Sequence, residues 1–231
     1  MTSILIGITL HDSKSYIIKD FLKNLKDLVE ALEASYEVGV LMIDNSDDCT
    51  FANWVSTTTP YEIVRNHWTL PTSQKRQCAC LNEIRDCVLE NKFDYLLSLE
   101  CDLLPNRDVG YHMLERLEDN KVDACAVPYL INKKRGICCI TKKIVIANNK
   151  TFPAVMQLPG YIDGEIKEIE NGAGIGCVMI KRKVLEKIKF RSGRDHADTY
   201  FWHDFHQEKF KGIIDTSQFV IHRNEEWRKR K

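Results

Sequence analysis

The sequence predicts an α/β fold, with a mainly parallel central sheet flanked by helices and a small antiparallel element added in the second half. Two observations lead to this prediction. Short apolar, β-branched segments alternate with segments whose apolar residues recur every three or four positions. This alternation is typical of right-handed crossovers in a parallel sheet. Beyond about residue 136 the pattern changes to an alternation that is typical of a hairpin.

The first strand and helix are the most regular part of the sequence. Residues 4–10, "ILIGITL", are almost continuously apolar, as in a strand that is covered on both faces. After the polar turn "HDSKS", apolar side chains define one helix face. They are Ile18, Phe21, Leu22, Leu25, Leu28, Val29 and Leu32.

The next elements repeat this arrangement up to residue 100. "VGVLMID" (38–44) is the second predicted strand and ends in the polar cluster "DNSDD". "YEIV" (61–64) is a short third strand, and a helix is predicted from residue 74 to about 89. "FDYLLSLE" then forms the next strand.

The second half contains the antiparallel element. "GICCITKKIVIANNKTFPAV" alternates like a hairpin, with Lys142 and Lys143 at the expected turn. "GEIKEIENGAGIGCVMIKRKVLEKI" is interpreted as strand, glycine loop, strand and a helix that begins near Lys181 or Arg182. An aromatic helix over "DTYFWHDFHQEKF" and two short strands, "GIID" and "FVIH", follow.

Length and composition restrict the class of protein. With 231 residues, 44% of them hydrophobic, and no repeat or low-complexity linker, we expect one domain over 1–231. The 33 Lys and Arg residues balance 33 Asp and Glu residues, so nothing indicates a nucleic-acid partner. No apolar stretch has the length of a signal peptide or membrane span, and we expect a cytoplasmic protein. Most of the nine cysteines lie in apolar segments and are expected to be buried free thiols rather than zinc ligands.

Carboxylates follow two of the predicted strands. Asp44 ends the second strand, and Glu100 and Asp102 end the strand of "YLLSLECDLLPNRD". Ligands of a parallel sheet collect beyond the carboxyl ends of its strands, so the two acidic stretches are expected to share a cleft. Such carboxylates bind Mg²⁺ or Mn²⁺ and leave coordination positions for phosphate oxygens. An isolated acidic pair of this kind is also consistent with solvated charges at a strand end.

Three segments together resemble a known family. "YLLSLECDLLPNRD" resembles the strand and Asp-x-Asp motif of GT-A glycosyltransferases, particularly the inverting family 2 type. "IENGAGIGCVMIKRKVLEKI" is similar to the family's glycine-rich loop, and "ADTYFWHDFHQEKFKGIIDTSQFVIHR" to its acidic segment, helix, final strand and late histidine. The segments occur in the family's order, and the resemblance extends over residues 4–223. It implies a GT-A fold with a nucleotide-binding half at about 1–105 and an acceptor half at about 106–223; the remaining residues, 224–231, form a basic tail.

The resemblance implies a nucleotide-sugar site, with a UDP- or GDP-sugar as the donor. Asp44 matches the acidic residue that contacts the base or ribose, and Thr9 supplies backbone near the base. Arg76 occupies the place of an arginine near the nucleotide. Gly172 and Gly174 belong to the loop that faces the donor sugar.

The same resemblance implies a site for Mn²⁺ or Mg²⁺. Asp102 matches the metal-binding carboxylate, and His222 matches the histidine that completes the coordination. Glu100 stands where the family has aspartate, and its contact is to the metal, to a metal-bound water or to the ribose. Both carboxylates thereby also take part in donor binding.

The resemblance makes Asp198 the candidate catalytic base, with Asp195 and Asp204 as nearby competitors. A carboxylate would accept the proton of the acceptor hydroxyl while that oxygen attacks the anomeric carbon, which inverts the configuration. The implied activity is transfer of one sugar to a protein, glycan or lipid-linked acceptor. Two alternatives are a nucleotidyltransferase and a non-catalytic domain that binds carbohydrate or a partner. The basic tail is typical of a frayed, solvated terminus, and a second hypothesis is weak peripheral contact with an anionic membrane.

Overall fold

The computed structural model describes residues 1–65, 70, 72–146, 150–157, 161–193 and 196–224. Within these ranges the chain forms thirteen strands and six α-helices. The strands are β1 (Ser3–Leu10), β2 (Glu37–Asp44), β3 (Glu62–Arg65), β4 (Tyr95–Glu100), β5 (Leu103–Leu104), β6 (Ala124–Ala126), β7 (Leu130–Asn132), β8 (Ile137–Ile146), β9 (Lys150–Gln157), β10 (Ile166–Glu168), β11 (Cys177–Lys181), β12 (Gly212–Asp215) and β13 (Ile221–His222). The helices are α1 (Ile18–Glu33), α2 (Thr50–Thr58), α3 (Ser73–Glu90), α4 (Val109–Asp119), α5 (Arg182–Lys187) and α6 (Ala197–Gln207).

An eight-stranded sheet forms the centre of the molecule, in the order β10-β12-β6-β11-β4-β1-β2-β3. Strands β3, β2, β1 and β4 are parallel to one another. Strand β11 is antiparallel to β4 and joins the strands of the second half to this parallel part. Two small sheets, β13-β5 and β7-β8-β9, lie outside the central sheet. The predicted α/β fold with an added antiparallel element is therefore confirmed.

Helix α1 follows from its apolar periodicity. All seven residues of the predicted apolar face are buried, because they pack against the sheet as one stripe. Helix α3 begins where the side chain of Thr72 caps it by accepting a hydrogen bond from the backbone N–H of Lys75. One continuous apolar core includes residues from both halves of the chain.

One predicted turn is wrong, and two helices were not predicted. Lys142 and Lys143 lie inside β8, where they pair with Ala154 and Pro153 of β9. The hairpin exists, but the β-branched residues after the lysines extend its first strand to Ile146. Helix α2 is rich in Thr and Ser, which are weak helix formers, and α4 lies in a segment for which no element was predicted.

Of the helices in these described ranges, none combines the length and apolarity that crossing a bilayer requires.

Candidate active site

The parallel strands end at one edge of the sheet and bring the sequence-predicted residues to it. Thr9 pairs with Ile43 of β2 on one side and with Glu100 of β4 on the other. Asp44, the last residue of β2, follows Ile43 directly. Three stretches that are far apart in sequence are therefore neighbours here, as the position of parallel strand ends predicts.

Strand β13 brings His222 to the same edge. It pairs antiparallel with β5, with His222 opposite Leu103, the residue after Asp102. The backbone N–H of Arg223 also donates to the carbonyl oxygen of Asp102, at 2.9 Å. A two-residue strand near residue 222 thus closes the site from the second half of the chain.

Glu100, Asp102 and His222 form a compact cluster. One ligand atom from each lies within 4.8 Å of the other two. Asp102 is 1% exposed and His222 is 8% exposed. Among the described residues, Asp102 Oδ1 has no hydrogen-bond partner. A buried carboxylate oxygen without a partner is costly, and a bound cation would satisfy it.

His222 is oriented in the way that metal-binding histidines usually are. Its Nδ1 lies 2.8 Å from the carbonyl oxygen of Leu130 and its Nε2 lies 3.2 Å from Asp102 Oδ2. A carbonyl and a carboxylate accept only, so Nδ1 carries a proton and Nε2 donates to Asp102; a metal would take the Nε2 lone pair after that second proton has left. Anchoring one ring nitrogen on the backbone while the other faces the site is typical of histidine ligands. Two carboxylates and one imidazole form a ligand set that a divalent cation can bind.

Lys14 belongs to this site and was not predicted. It ends a 3₁₀ helix, Asp12–Lys14, that follows β1, and its ammonium forms an ion pair with Asp102 Oδ2. Burial opposes ionisation of Asp102, but the hydrogen bond with His222 and the charge of Lys14 outweigh it and lower the pKa of Asp102. Asp102 is therefore ionised, and the Lys14 ammonium and the His222 ring already contact its carboxylate.

The carboxylates of Glu100 and Asp198 are close enough for their negative charges to interact. Burial, followed by the charge of Asp102, raises the pKa of Glu100 to about 7, and the charge of Asp198 contributes to this rise. Burial also raises the pKa of Asp198, which lies in the first turn of α6. A carboxylate with a raised pKa is suited to accept a proton.

Of the two competitors of Asp198, only Asp204 lies in the described part of the chain. Asp204 accepts two hydrogen bonds from Arg191, at 2.8 and 2.7 Å, so its carboxylate is already occupied. Asp195 lies outside the described residues.

The glycine loop before β11 packs against Tyr129. The backbone N–H of Gly176 donates to the Tyr129 hydroxyl at 3.3 Å. A Cβ on Gly174 would overlap that hydroxyl, and one on Gly176 would lie 3.0 Å from the carboxyl carbon of Glu100. Gly172 instead approaches Trp202, with a Cβ distance of 3.1 Å. These glycines have packing reasons of their own, besides the predicted contact with a donor sugar.

Asp44 and Arg76 lie at the other end of this edge. Asp44 is fully buried and accepts a hydrogen bond from Ser46 Oγ at 2.6 Å, while Arg65 Nε lies 3.8 Å from it. Burial raises the pKa of Asp44. Arg76 donates to Asp47 at 2.8 Å, three residues after Asp44.

A groove opens beside Lys14 at this edge. Its volume is about 710 Å³, and Ser13, Ser15 and Trp54 are among the residues that line it. The groove runs between the loop after β1 and helix α2, and has the size of a small-molecule pocket. The residues lining it do not include Asp44 or Glu100, so it adjoins the predicted site without coinciding with it.

Sequence reasoning missed Lys14 and Tyr129. The signal for Lys14 was its position in the loop after the first strand, at the edge where ligands collect. Tyr129 gives no local signal, because only the fold brings it against the glycine loop and the ring of His222, 5.3 Å between centroids.

The sheet order, the acidic cluster at its carboxyl edge and the small antiparallel sheets define a GT-A-like fold. Neither a protein-family model nor a curated protein sequence matches the chain. Solved structures do. A197 from STIV has a TM-score of 0.55 and 19% identity, and the match covers 96% of this chain and 85% of that one.

TarS 1–349 from S. aureus matches at a TM-score of 0.56 with 12% identity, over 98% of this chain and 62% of that one. Its complex with UDP-GlcNAc matches at a TM-score of 0.56 with 10% identity, over 96% and 59%. The chain thus spans about 60% of the length of these TarS structures. At such identities the likeness shows the fold.

Proposed function

We propose that this protein is a glycosyltransferase that moves one sugar from a nucleotide-diphosphate sugar to an acceptor hydroxyl, with the help of a divalent metal. The observation that carries the proposal is the convergence of Glu100, Asp102 and His222 on one point at the carboxyl edge of a GT-A-like fold. The similarity to a TarS structure solved with UDP-GlcNAc supports a sugar nucleotide as the donor.

Asp102 and His222 would hold Mn²⁺ or Mg²⁺, with Glu100 as a third ligand or as a contact to the ribose. When bound, such a metal neutralises the negative charge of a departing diphosphate. Asp44, Arg76 and the backbone of Thr9 would bind the nucleoside. Gly172 and Gly174 would face the donor sugar.

Asp198 would act as the base. Its half-buried carboxylate would take the proton from the acceptor hydroxyl as that oxygen attacks the anomeric carbon from the side opposite the diphosphate. One such displacement inverts the anomeric configuration. The acceptor is a protein, a glycan or a lipid-linked molecule. If the acceptor is lipid-linked, the basic residues of the 224–231 tail would give this cytoplasmic enzyme weak contact with an anionic membrane. All residues of this tail except Asn224 lie outside the described residues.

The first experiment is a thermal-shift screen of UDP- and GDP-sugars with and without Mn²⁺. A donor that binds the native protein raises the melting temperature of the protein, and we expect this rise to require Mn²⁺. Positive donors then go into a hydrolysis assay in which water replaces the acceptor. Turnover of nucleoside triphosphates, with no response to any sugar nucleotide, would instead support a nucleotidyltransferase. Metal-dependent binding without turnover would support the non-catalytic alternative.

A further inference from the structure

Lys14 and the metal would bind the same carboxylate. The Lys14 ammonium contacts Asp102 Oδ2, the same oxygen that His222 Nε2 approaches to 3.2 Å. The Lys14 side chain is 21% exposed, so this ion pair is mostly shielded from water. Lys14 thus supplies positive charge at the place where the proposed metal would lie.

A divalent ion on Asp102 and an ammonium on the same oxygen would repel each other strongly. Two charges about 4 Å apart interact more strongly as the surroundings become less polar, and Asp102 is buried. The ammonium therefore opposes binding of a metal to Asp102.

A groove lies next to the segment that carries Lys14. Ser13 and Ser15, on either side of Lys14, line the groove of about 710 Å³. A lysine ammonium sits on a flexible four-carbon stem, so it can leave Asp102 without movement of the backbone. If the proposed function holds, the diphosphate of the donor would supply the nearest new anion.

We propose that Lys14 is the resident cation of this site, which neutralises Asp102 in the ligand-free protein and transfers to the donor diphosphate when a divalent ion takes its place. The proposal rests on the proposed function for the identity of the anion. Metal and nucleotide would then bind cooperatively. The metal displaces the Lys14 ammonium toward the diphosphate, and the diphosphate draws the ammonium away from the metal site. Such coupling is reciprocal, so each ligand raises the affinity for the other by the same factor.

The test is a titration with Mn²⁺ alone, followed by electron paramagnetic resonance of the free ion, on the wild type, Lys14→Met and Lys26→Met. Lys26 forms an exposed pair with Glu30, so the control removes the same charge elsewhere. Lys14→Met should bind Mn²⁺ about tenfold more tightly or better, whereas Lys26→Met should match the wild type. Unchanged or weaker Mn²⁺ binding by folded Lys14→Met overturns the proposal.

Folding is controlled with a second variant. Lys14→Gln keeps a hydrogen-bond donor beside Asp102 but removes the charge, and it should also bind Mn²⁺ more tightly. Circular dichroism melts in EDTA establish that each variant is folded. A folded Lys14→Gln that binds Mn²⁺ like the wild type overturns the proposal even if Lys14→Met does not fold.

A second titration, with UDP and with GDP present, tests the transfer to a diphosphate. One of them should raise the Mn²⁺ affinity of the wild type, and this gain should be at least tenfold smaller in Lys14→Met. An equal gain in both proteins overturns the transfer step. Because the titration without nucleotide requires no sugar transfer, a positive result there, with no donor found, keeps the charge exchange and rejects the glycosyltransferase function.

Discussion

Replacing Gly174 with alanine should destabilise the protein, and removing the Tyr129 hydroxyl should reverse much of that effect. A Cβ at this position would overlap the hydroxyl and lie 2.9 Å from the Tyr129 ring carbon that bears it, and 3.1 Å from Cys139 Cβ. Tyr129 is 4% exposed, so its ring has little room to move away.

The magnitude follows from these contacts. Inserting one methyl group into a packed site costs about 1–3 kcal/mol, and the near-complete burial of Tyr129 places Gly174→Ala near the middle of that range. Tyr129→Phe removes the acceptor for the Gly176 N–H and should cost about 1 kcal/mol. The double variant lacks the overlapping oxygen, so its loss should be smaller than the sum of the single losses by about 1 kcal/mol or more.

Urea denaturation of the wild type, both single variants and the double variant measures this coupling. For a chain of 231 residues, a loss of about 2 kcal/mol corresponds to a fall in melting temperature of about 4–8 °C. Additive losses, or a Gly174→Ala protein as stable as the wild type, would refute the packing explanation. A stable double variant with weakened donor binding would support the additional, predicted contact between this loop and the sugar.

Other expectations concern the ionisable groups. Asp102→Ala should abolish Mn²⁺-dependent nucleotide binding in calorimetry and lower the free energy of unfolding by on the order of 3 kcal/mol, because Lys14 and His222 lose their shared anion; retained binding would contradict this role. Asp198→Asn should spare donor binding but remove transfer, and transfer by this variant would exclude Asp198 as the base. Because burial raises the pKa of Asp198, the wild-type rate should fall as pH drops through that raised pKa, and a flat pH profile would count against it. The same shift means that ionisation of Asp198 costs stability as pH rises above the ordinary aspartate range, so Asp198→Asn should be more stable than the wild type at pH 7 but not at pH 3, as melts at both values would reveal. Arg116→Met should cost about 3 kcal/mol in urea denaturation, because it leaves the fully buried Asp215 without the guanidinium that lies 3.0 Å away; a loss below 1 kcal/mol would show that water replaces it.

The parts of the fold that the sequence predicted are those specified by local periodicity. Helix α1 has a full apolar stripe, and β1 is continuously apolar, so each could be recognised without knowledge of its neighbours. The hairpin turn was placed wrongly because two charged residues resemble a turn, although Lys142 and Lys143 lie on a strand of the small outer sheet. Charge alone does not distinguish a turn from such a strand.

The candidate site likewise contains residues that a local sequence pattern predicts and residues that only the fold brings together. Glu100 and Asp102 are adjacent to a strong strand signal, and parallel topology predicts that Thr9 and Asp44 lie beside them. Lys14 carries a charge like that of any solvated loop lysine, and its burial depends on Asp102, 88 residues away. Long-range pairing of charges is encoded in the fold and has no local pattern in the sequence.

The pairing of β13 with β5 has a consequence for synthesis of the protein. His222 and Asp102 are 120 positions apart, and the strand that joins them is only two residues long. Domains emerge from the ribosome starting with the N-terminal end, at about 5–20 residues per second. The nascent chain therefore holds Asp102 without its histidine for several seconds, and cannot assemble the three-residue cluster until nearly all of the described sequence has been translated.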